Sequence, residues 1–254
     1  MEKTVKFESR DSIAYITLNR PDSLNAFDPA MFEDFNNAID HFRDDDELKV
    51  AIVRGAGKRA FSAGVDLKHL ATSLKQDAAK RAGPLVIRMA EPGYLDKPVI
   101  AAIRGYCVGE GIHVALACDF RVCASDAIFS VPEVAVGMPL IRLSSQCVRS
   151  IGTPAAVELC FLGEKKDANW ALSRQLVHKV ALPGEELALA EQIARRLCSV
   201  SLPALRVTKQ TMARAHDMTY VDLFAYGMPL REQVFASGDA REATQAFASS
   251  RDTA

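Results

Sequence analysis

The run Pro98-Val99-Ile100-Ala101-Ala102-Ile103 constrains this chain more than any other feature. Consecutive apolar residues behind a proline leave no polar face. A strand of that kind must be covered on both sides, as in a largely parallel sheet with helices packed on it. Val50-Ala51-Ile52-Val53 is a second such run. Ile13-Ala14-Tyr15-Ile16-Thr17-Leu18 is strand-like and is predicted to pair with residues 5–7 across a turn at 9–12. Phe120-Arg121-Val122-Cys123, Ile128-Phe129-Ser130 and residues 177–180 read as further short strands.

Helical patterns lie between these runs. Asp28-Pro29 opens a helix, with Asp as N-cap and Pro in the first turn. Phe32, Phe35, Ile39 and Phe42 then recur at helical spacing and mark a core face. Residues 68–96 read as helical and polar, with breaks at Gly83-Pro84 and Pro92-Gly93, and a helix over 110–118 follows Gly105-Tyr106-Cys107-Val108-Gly109. Beyond Gly137 the amphipathic segments fall near 142–151, 154–162, 167–175, 185–198, 203–216, 220–236 and 239–250. Strands alternate with helices over roughly the first 180 residues, and helices alone follow. The fold class is therefore α/β, with an α/β core over 1–195 and a helical module over 196–254.

Composition excludes several function classes. The chain has 254 residues, enough for one such core with its own tail module. A net charge of −1 gives no overall field that would draw it to nucleic acid or to an anionic membrane. The charged N-terminus has no apolar run behind it, so it does not read as a secretory signal. No apolar stretch is long enough to span a bilayer. Cys107, Cys118, Cys123, Cys147, Cys160 and Cys198 form no CxxC pair and no zinc-ligand spacing with a histidine. They read as reduced, buried thiols of a cytoplasmic protein, with no metal site. The acidic run Asp44-Asp45-Asp46-Glu47 reads as a solvated loop.

Two strand-to-helix junctions are the candidates for chemistry: Phe61-Ser62-Ala63-Gly64-Val65-Asp66-Leu67 and Gly105-Tyr106-Cys107-Val108-Gly109-Glu110-Gly111. Each places small residues where backbone N–H groups at a helix start lack partners. Such donors, with the helix dipole behind them, favour a developing negative charge, and two that converge make an oxyanion hole. For either junction alone, glycines that serve only a tight turn and helix packing are the stronger reading. A phosphate-loop reading is weaker still, because the second junction lacks the Gly-Lys-Ser/Thr ending and the dinucleotide glycine spacing.

In combination with other segments the two junctions resemble one family. Leu18-Asn19-Arg20-Pro21 with Leu24-Asn25-Ala26, the segment 61–67, the strand 98–103 with Arg104-Gly105-Tyr106, Leu116-Ala117-Cys118-Asp119-Phe120-Arg121, Phe129-Ser130-Val131-Pro132-Glu133, and Ser237-Gly238-Asp239-Ala240-Arg241-Glu242 with Phe247 occur in the order and spacing of the crotonase (enoyl-CoA hydratase/isomerase) superfamily. The resemblance implies a crotonase-like spiral of ββα units, with a helical C-terminal region that trimerises, often into hexamers. It implies an acyl-CoA substrate, with coenzyme A part of that substrate and no metal or other cofactor. The oxyanion donors carry over to the N–H groups of Val65 and Glu110. Coenzyme A contacts carry over to Leu24, Ala26, Ala63 and Leu67, with Phe247 and Arg251 reaching the coenzyme A of a neighbouring subunit.

Family hydratases hold a water on two glutamates. The second falls on Glu133. The first falls on His113, so this chain departs from the pattern there. From the residues alone Glu133 reads as a strand-end carboxylate facing water or pairing with a lysine, whereas the resemblance makes it the acid or base. His113 is either a proton carrier in place of the glutamate or a histidine satisfied by its neighbours. Glu110, at i−3 from His113, shares its helix face and is placed to orient the imidazole. Glu110 also stands where the family has glycine. After Gly137 the stretch Met138-Pro139-Leu140-Ile141-Arg142-Leu143-Ser144-Ser145 lacks both the hydratase glycines and an acidic residue, and is faintly similar to family decarboxylases. The expected activity is hydration of an enoyl-CoA through a stabilised enolate. The alternatives are isomerisation, decarboxylation or thioester hydrolysis on the same scaffold, or acyl-CoA binding without catalysis.

Overall fold

The computed structural model describes residues 3–74, 86–238, 241 and 244. The chain opens with an antiparallel hairpin of β1 (Val5–Arg10) and β2 (Ile13–Leu18). Asp11 and Ser12 close it with φ of 51° and 60°, the left-handed pair that suits a two-residue turn. Helix α1 (Pro29–Asp44) begins as expected: the Asp28 carboxylate accepts from Met31 N–H at 2.9 Å, and Phe32, Phe35, Ile39 and Phe42 are all buried. It ends against Lys97, whose buried ammonium donates to Phe42 O at 3.0 Å and Asp45 O at 2.6 Å. A cation there satisfies carbonyls that the helix leaves without partners.

A unit of long strand, short strand and helix then occurs three times: β3 (Val50–Gly55), β4 (Ala60–Ser62) and α2 (Leu67–Leu74); β5 (Val99–Ile103), β6 (Tyr106–Val108) and α3 (Glu110–Ala117); and β7 (Phe120–Ala124), β8 (Ile128–Ser130) and α4 (Arg142–Leu162). Next come β9 (Lys166–Asp167), α5 (Ala168–Ser173), β10 (Lys179–Ala181), α6 (Glu186–Cys198), α7 (Leu202–Arg214) and α8 (Tyr220–Ala236). The long strands assemble a six-stranded sheet in the order β1-β2-β3-β5-β7-β10, parallel except for the hairpin. The short strands assemble a second sheet, β4-β6-β8-β9, in which β9 alone runs antiparallel.

Strand β5 sits inside the large sheet, and every one of its residues is buried. Val99, Ala101 and Ile103 face the main core with Phe27, Phe35 and Phe61, while Ile100 and Ala102 face Ala190 and Ala194 of α6. Cover on both faces is the reason this strand has no polar residue. The expected division at 195/196 falls inside α6, which packs on the sheet. Helix α7 is tied back to the core: Lys209 Nζ lies 2.8 Å from Asp119 and 2.7 Å from Lys97 O, and Arg206 and Gln210 both reach Asp96.

Three expectations need correction. Residues 86–96 are not helical beyond one 3-10 turn, Arg88–Ala90. The Asn36 amide takes their backbone instead, donating to Val86 O and accepting from Arg88 N–H. The last strand lies at Lys179–Ala181, two residues later than expected. The short strands β4 and β6 lay within segments read as turns leading into helices; at three residues each they carry no periodicity to detect. The expected helical residues 75–85, and most of 239–250 with Phe247 and Arg251, lie outside the described residues. Among the described residues no helix is long and apolar enough to cross a membrane.

Candidate active site

The two junctions meet. After β4 the chain is held by hydrogen bonds: Ser62 Oγ donates to Asn25 O at 2.8 Å and accepts from Gly64 N–H at 3.2 Å. Phe27 N–H donates to Gly64 O and Asp66 N–H to Phe27 O, a single parallel bridge between residues 27 and 65. That bridge leaves Val65 N–H without a partner among the described residues. After β6, Gly109 (φ 51°, ψ −113°) turns the chain into α3, and Glu110 N–H, first in the helix, has no helical acceptor. A methyl group at Gly64 would lie 3.4 Å from Glu110 N and 3.0 Å from Val108 O; one at Gly111 would lie 2.7 Å from Ser62 O. Only glycine lets the two turns approach this closely. The positive end of α3 therefore abuts the turn that carries Val65 N–H.

The residues expected to contact coenzyme A sit beside this point. Leu24 is left-handed (φ 52°), and its carbonyl accepts from Ala63 N–H at 2.9 Å. Ala26 is buried, and its carbonyl accepts from Arg20, which also lies 3.2 Å from both Asp28 and Asp66. Leu67 opens α2 with 65% of its surface exposed. The structure thus brings Leu24, Ala26, Ala63, Val65 and Leu67 to one edge of the molecule. Asn25 underlies the loop: fully buried at φ 55°, it donates to Ala56 O and Ala60 O and accepts from Arg20 N–H.

Glu133 opens a 3-10 turn, Glu133–Val136, just after β8. Its carboxylate is seated on Gly109, where an added Cβ would fall 2.0 Å from Oε1. Oε2 is buried without a hydrogen-bond partner among the described residues. Burial raises its pKa above the ordinary carboxylate range; its own backbone N–H opposes the shift, and the Glu110 charge adds to it. His113 lies one turn into α3 and is 4% exposed. Its Nδ1 is 2.8 Å from Glu110 Oε1. A carboxylate only accepts, so this contact sets a proton on Nδ1 and directs Nε2 to other partners. Nε2 has none among the described residues. Gln146 Oε1, on α4, is in the same state. That state is not legible in the sequence, where Gln146 is one polar residue in an amphipathic helix.

Residues 8–254 match the family model for enoyl-CoA hydratase/isomerase. The chain belongs to the enoyl-CoA hydratase/isomerase family. It is 31% identical to the short-chain-enoyl-CoA hydratase of Clostridium acetobutylicum, over 97% of this chain and 95% of that one. It is 35% identical to the carnitinyl-CoA dehydratase of Escherichia coli strain K12, over 99% and 98%. The crystal structure of enoyl-CoA hydratase from Mycobacterium tuberculosis H37Rv superposes with a TM-score of 0.87 at 33% identity, covering 98% of this chain and 96% of that one. Family membership makes the protein an acyl-CoA enzyme and accounts for the paired-strand units of the fold.

In this member of the family a cavity of about 960 Å³ is lined by His113 and by residues of α3, α4 and α7. Leu95, Leu116, Ile141, Leu205 and Met212 supply apolar wall, and Gln146 lines it as well.

Proposed function

We propose that the protein adds water across the double bond of a 2-enoyl-CoA thioester. The observation that carries this reading is the abutment of the 62–65 and 109–111 turns, each offering an N–H without a partner among the described residues. The Val65 and Glu110 amides hold the thioester oxygen as it turns anionic. Two donors of this kind are worth about 3 kcal/mol each to a transition state. His113 Nε2 takes a proton from water, the water oxygen bonds to the β-carbon, and the electron pair of the double bond moves onto the thioester oxygen. Glu133 gives its proton to the α-carbon. A carboxyl group held above its usual pKa suits the acid role, and an imidazole aligned by Glu110 suits the base. Coenzyme A lies along Leu24, Ala26, Ala63 and Leu67, with Phe247 and Arg251 of a neighbouring copy; no separate cofactor or metal takes part.

Exposed Tyr220, Val221, Phe224 and Phe235 on α8 support self-association as a trimer or a pair of trimers. A cytoplasmic location follows from the thiol usage. The test of the chemistry is Glu133→Gln, which is expected to slow hydration of a 2-enoyl-CoA at least about tenfold. Unchanged turnover rejects the assignment.

A second reading keeps the oxyanion site and changes the reaction. Glu110 brings a carboxylate to the thioester end, and His113 stands in place of a glutamate, which suits isomerisation, decarboxylation, thioester hydrolysis or binding alone. Product masses from an acyl-CoA panel separate these. Gain of water without loss of coenzyme A marks hydration.

A further inference from the structure

We propose that residues 139–151 form a lid, hinged at Gly152, that lifts to let water and substrate reach His113 and Glu133. The inference rests on the hydration reading above for what the lid admits, and on geometry for the lid itself. Hydration needs water at the imidazole and substrate at the carboxyl group. As they stand, His113 Nε2 and Glu133 Oε2 are both closed to a water-sized sphere, and neither has a hydrogen-bond partner among the described residues. Gln146 Oε1 is closed in the same way. Helix α4 connects the three. The helix that carries His113 and the 3-10 turn that carries Glu133 both pack on it, and Gln146 belongs to it. Something has to move before either group can react, and α4 is the cover they share.

The first half of α4 is built to move apart from the second. Gly152 breaks the helix at φ 75° and ψ 160°, a conformation essentially confined to glycine. A methyl group there would meet nothing within 4 Å, so no neighbour clamps the joint. At the other end Gly137, at φ 78°, is equally open and closes the Glu133 turn. Met138 N–H still donates to Glu133 O at 2.9 Å, but Leu140 and Ile141 N–H make no backbone hydrogen bond among the described residues. The helix then starts at Arg142 without a side-chain cap. Two lid residues are buried in the main core, Leu143 and Cys147, with Leu140 and Ile151 half-buried beside them. Opening uncovers little apolar surface, as a low-energy local opening requires. Two ion pairs latch the lid: Arg142 to Glu91 at 3.3 Å and Arg149 to Asp217 at 2.6 Å. All four side chains are about half exposed, so salt screens both pairs.

Cys147 is a reporter of the movement. It sits fully buried on the inner side of the lid. Contact with the Cys160 thiol and burial hold its thiol well above the usual range, and the Glu133 charge adds to this. It is therefore inert while the lid is down and reactive once the lid lifts. Cys107, fully buried on β6, is the reference for opening of the whole core.

The test is chemical access. The full chain is treated with N-ethylmaleimide for thiols and, separately, with diethyl pyrocarbonate for imidazoles, and modified residues are located by mass spectrometry over time. Cys147 is expected to react at least about tenfold faster than Cys107, because a local opening is easier than a global one. Salt at about 1 M, where the Debye length is about 3 Å, should speed Cys147 and His113 alike and leave Cys107 unchanged. Gly152→Ala, which strains the closed joint, should speed the same two residues. Cys147 as slow as Cys107, His113 modified without the salt response of Cys147, or a Gly152→Ala effect that reaches Cys107 equally overturns the proposal. The unmodified protein alone decides it should the variant fail to fold. The labelling uses no substrate, so a lid that opens in a protein adding water to no 2-enoyl-CoA would remove the hydration reading and leave the lid.

Discussion

The two turns that meet at the site are built in different ways. The first, after β4, is held by bonds: Ser62 Oγ, the Asn25 amide and the bridge between residues 27 and 65 fix it without help from the ligand side. The second, after β6, has one backbone bond, Gly109 N–H to Ser130 O at 3.0 Å, and depends besides on missing side chains: Gly109 admits the Glu133 carboxylate, and Gly111 admits Ser62 O. Each carries an N–H without a partner among the described residues, and the two turns abut. The difference teaches where each turn is vulnerable. Losing a hydrogen bond loosens the first turn and shows mainly in stability. Adding a methyl group to the second displaces a reacting group and shows mainly in rate.

The strongest way to break that comparison is Gly109→Ala. The new methyl meets Glu133 Oε1 and must be held at φ 51°. The Glu110 amide turns with it, so turnover is expected to fall about 100-fold or more. Steady-state hydration measures it; near-normal turnover would mean that the seat of Glu133 on Gly109 has no part in catalysis.

Ser62→Ala is the corresponding change in the first turn. It strands buried Asn25 O and removes the acceptor for Gly64 N–H, at a cost of about 1–3 kcal/mol. Chemical denaturation should show the loss, with a smaller change in rate than Gly109→Ala. A larger rate effect than that of Gly109→Ala would reverse the contrast.

The smallest effect is a pH dependence. Glu133 titrates above the ordinary carboxylate value of 4.5 in the folded chain. The folded state therefore binds the proton more tightly than the unfolded one. The contribution of this group is fully present below that value and is lost as pH rises through the raised one. Glu133→Gln removes that loss, so its melting temperature relative to the unchanged protein should be higher at pH 8 than at pH 4. An equal difference at both pH values would place the carboxyl in water rather than on Gly109.

Much of this protein was written in its sequence. The strand 99–103 required cover on both faces, Asp28-Pro29 set the start of α1, and the ordered motifs from Leu18 to Phe247 pointed to the family. These are local or in-register features, and chemistry along the chain decides them. The second sheet, the close approach of Gly64 to Glu110, the seat of Glu133 on Gly109 and the orphaned Gln146 oxygen were not legible. Each depends on segments dozens of residues apart being brought into contact. A glycine in a turn looks the same in sequence whether or not a carboxylate rests against it, and only packing assigns its neighbour.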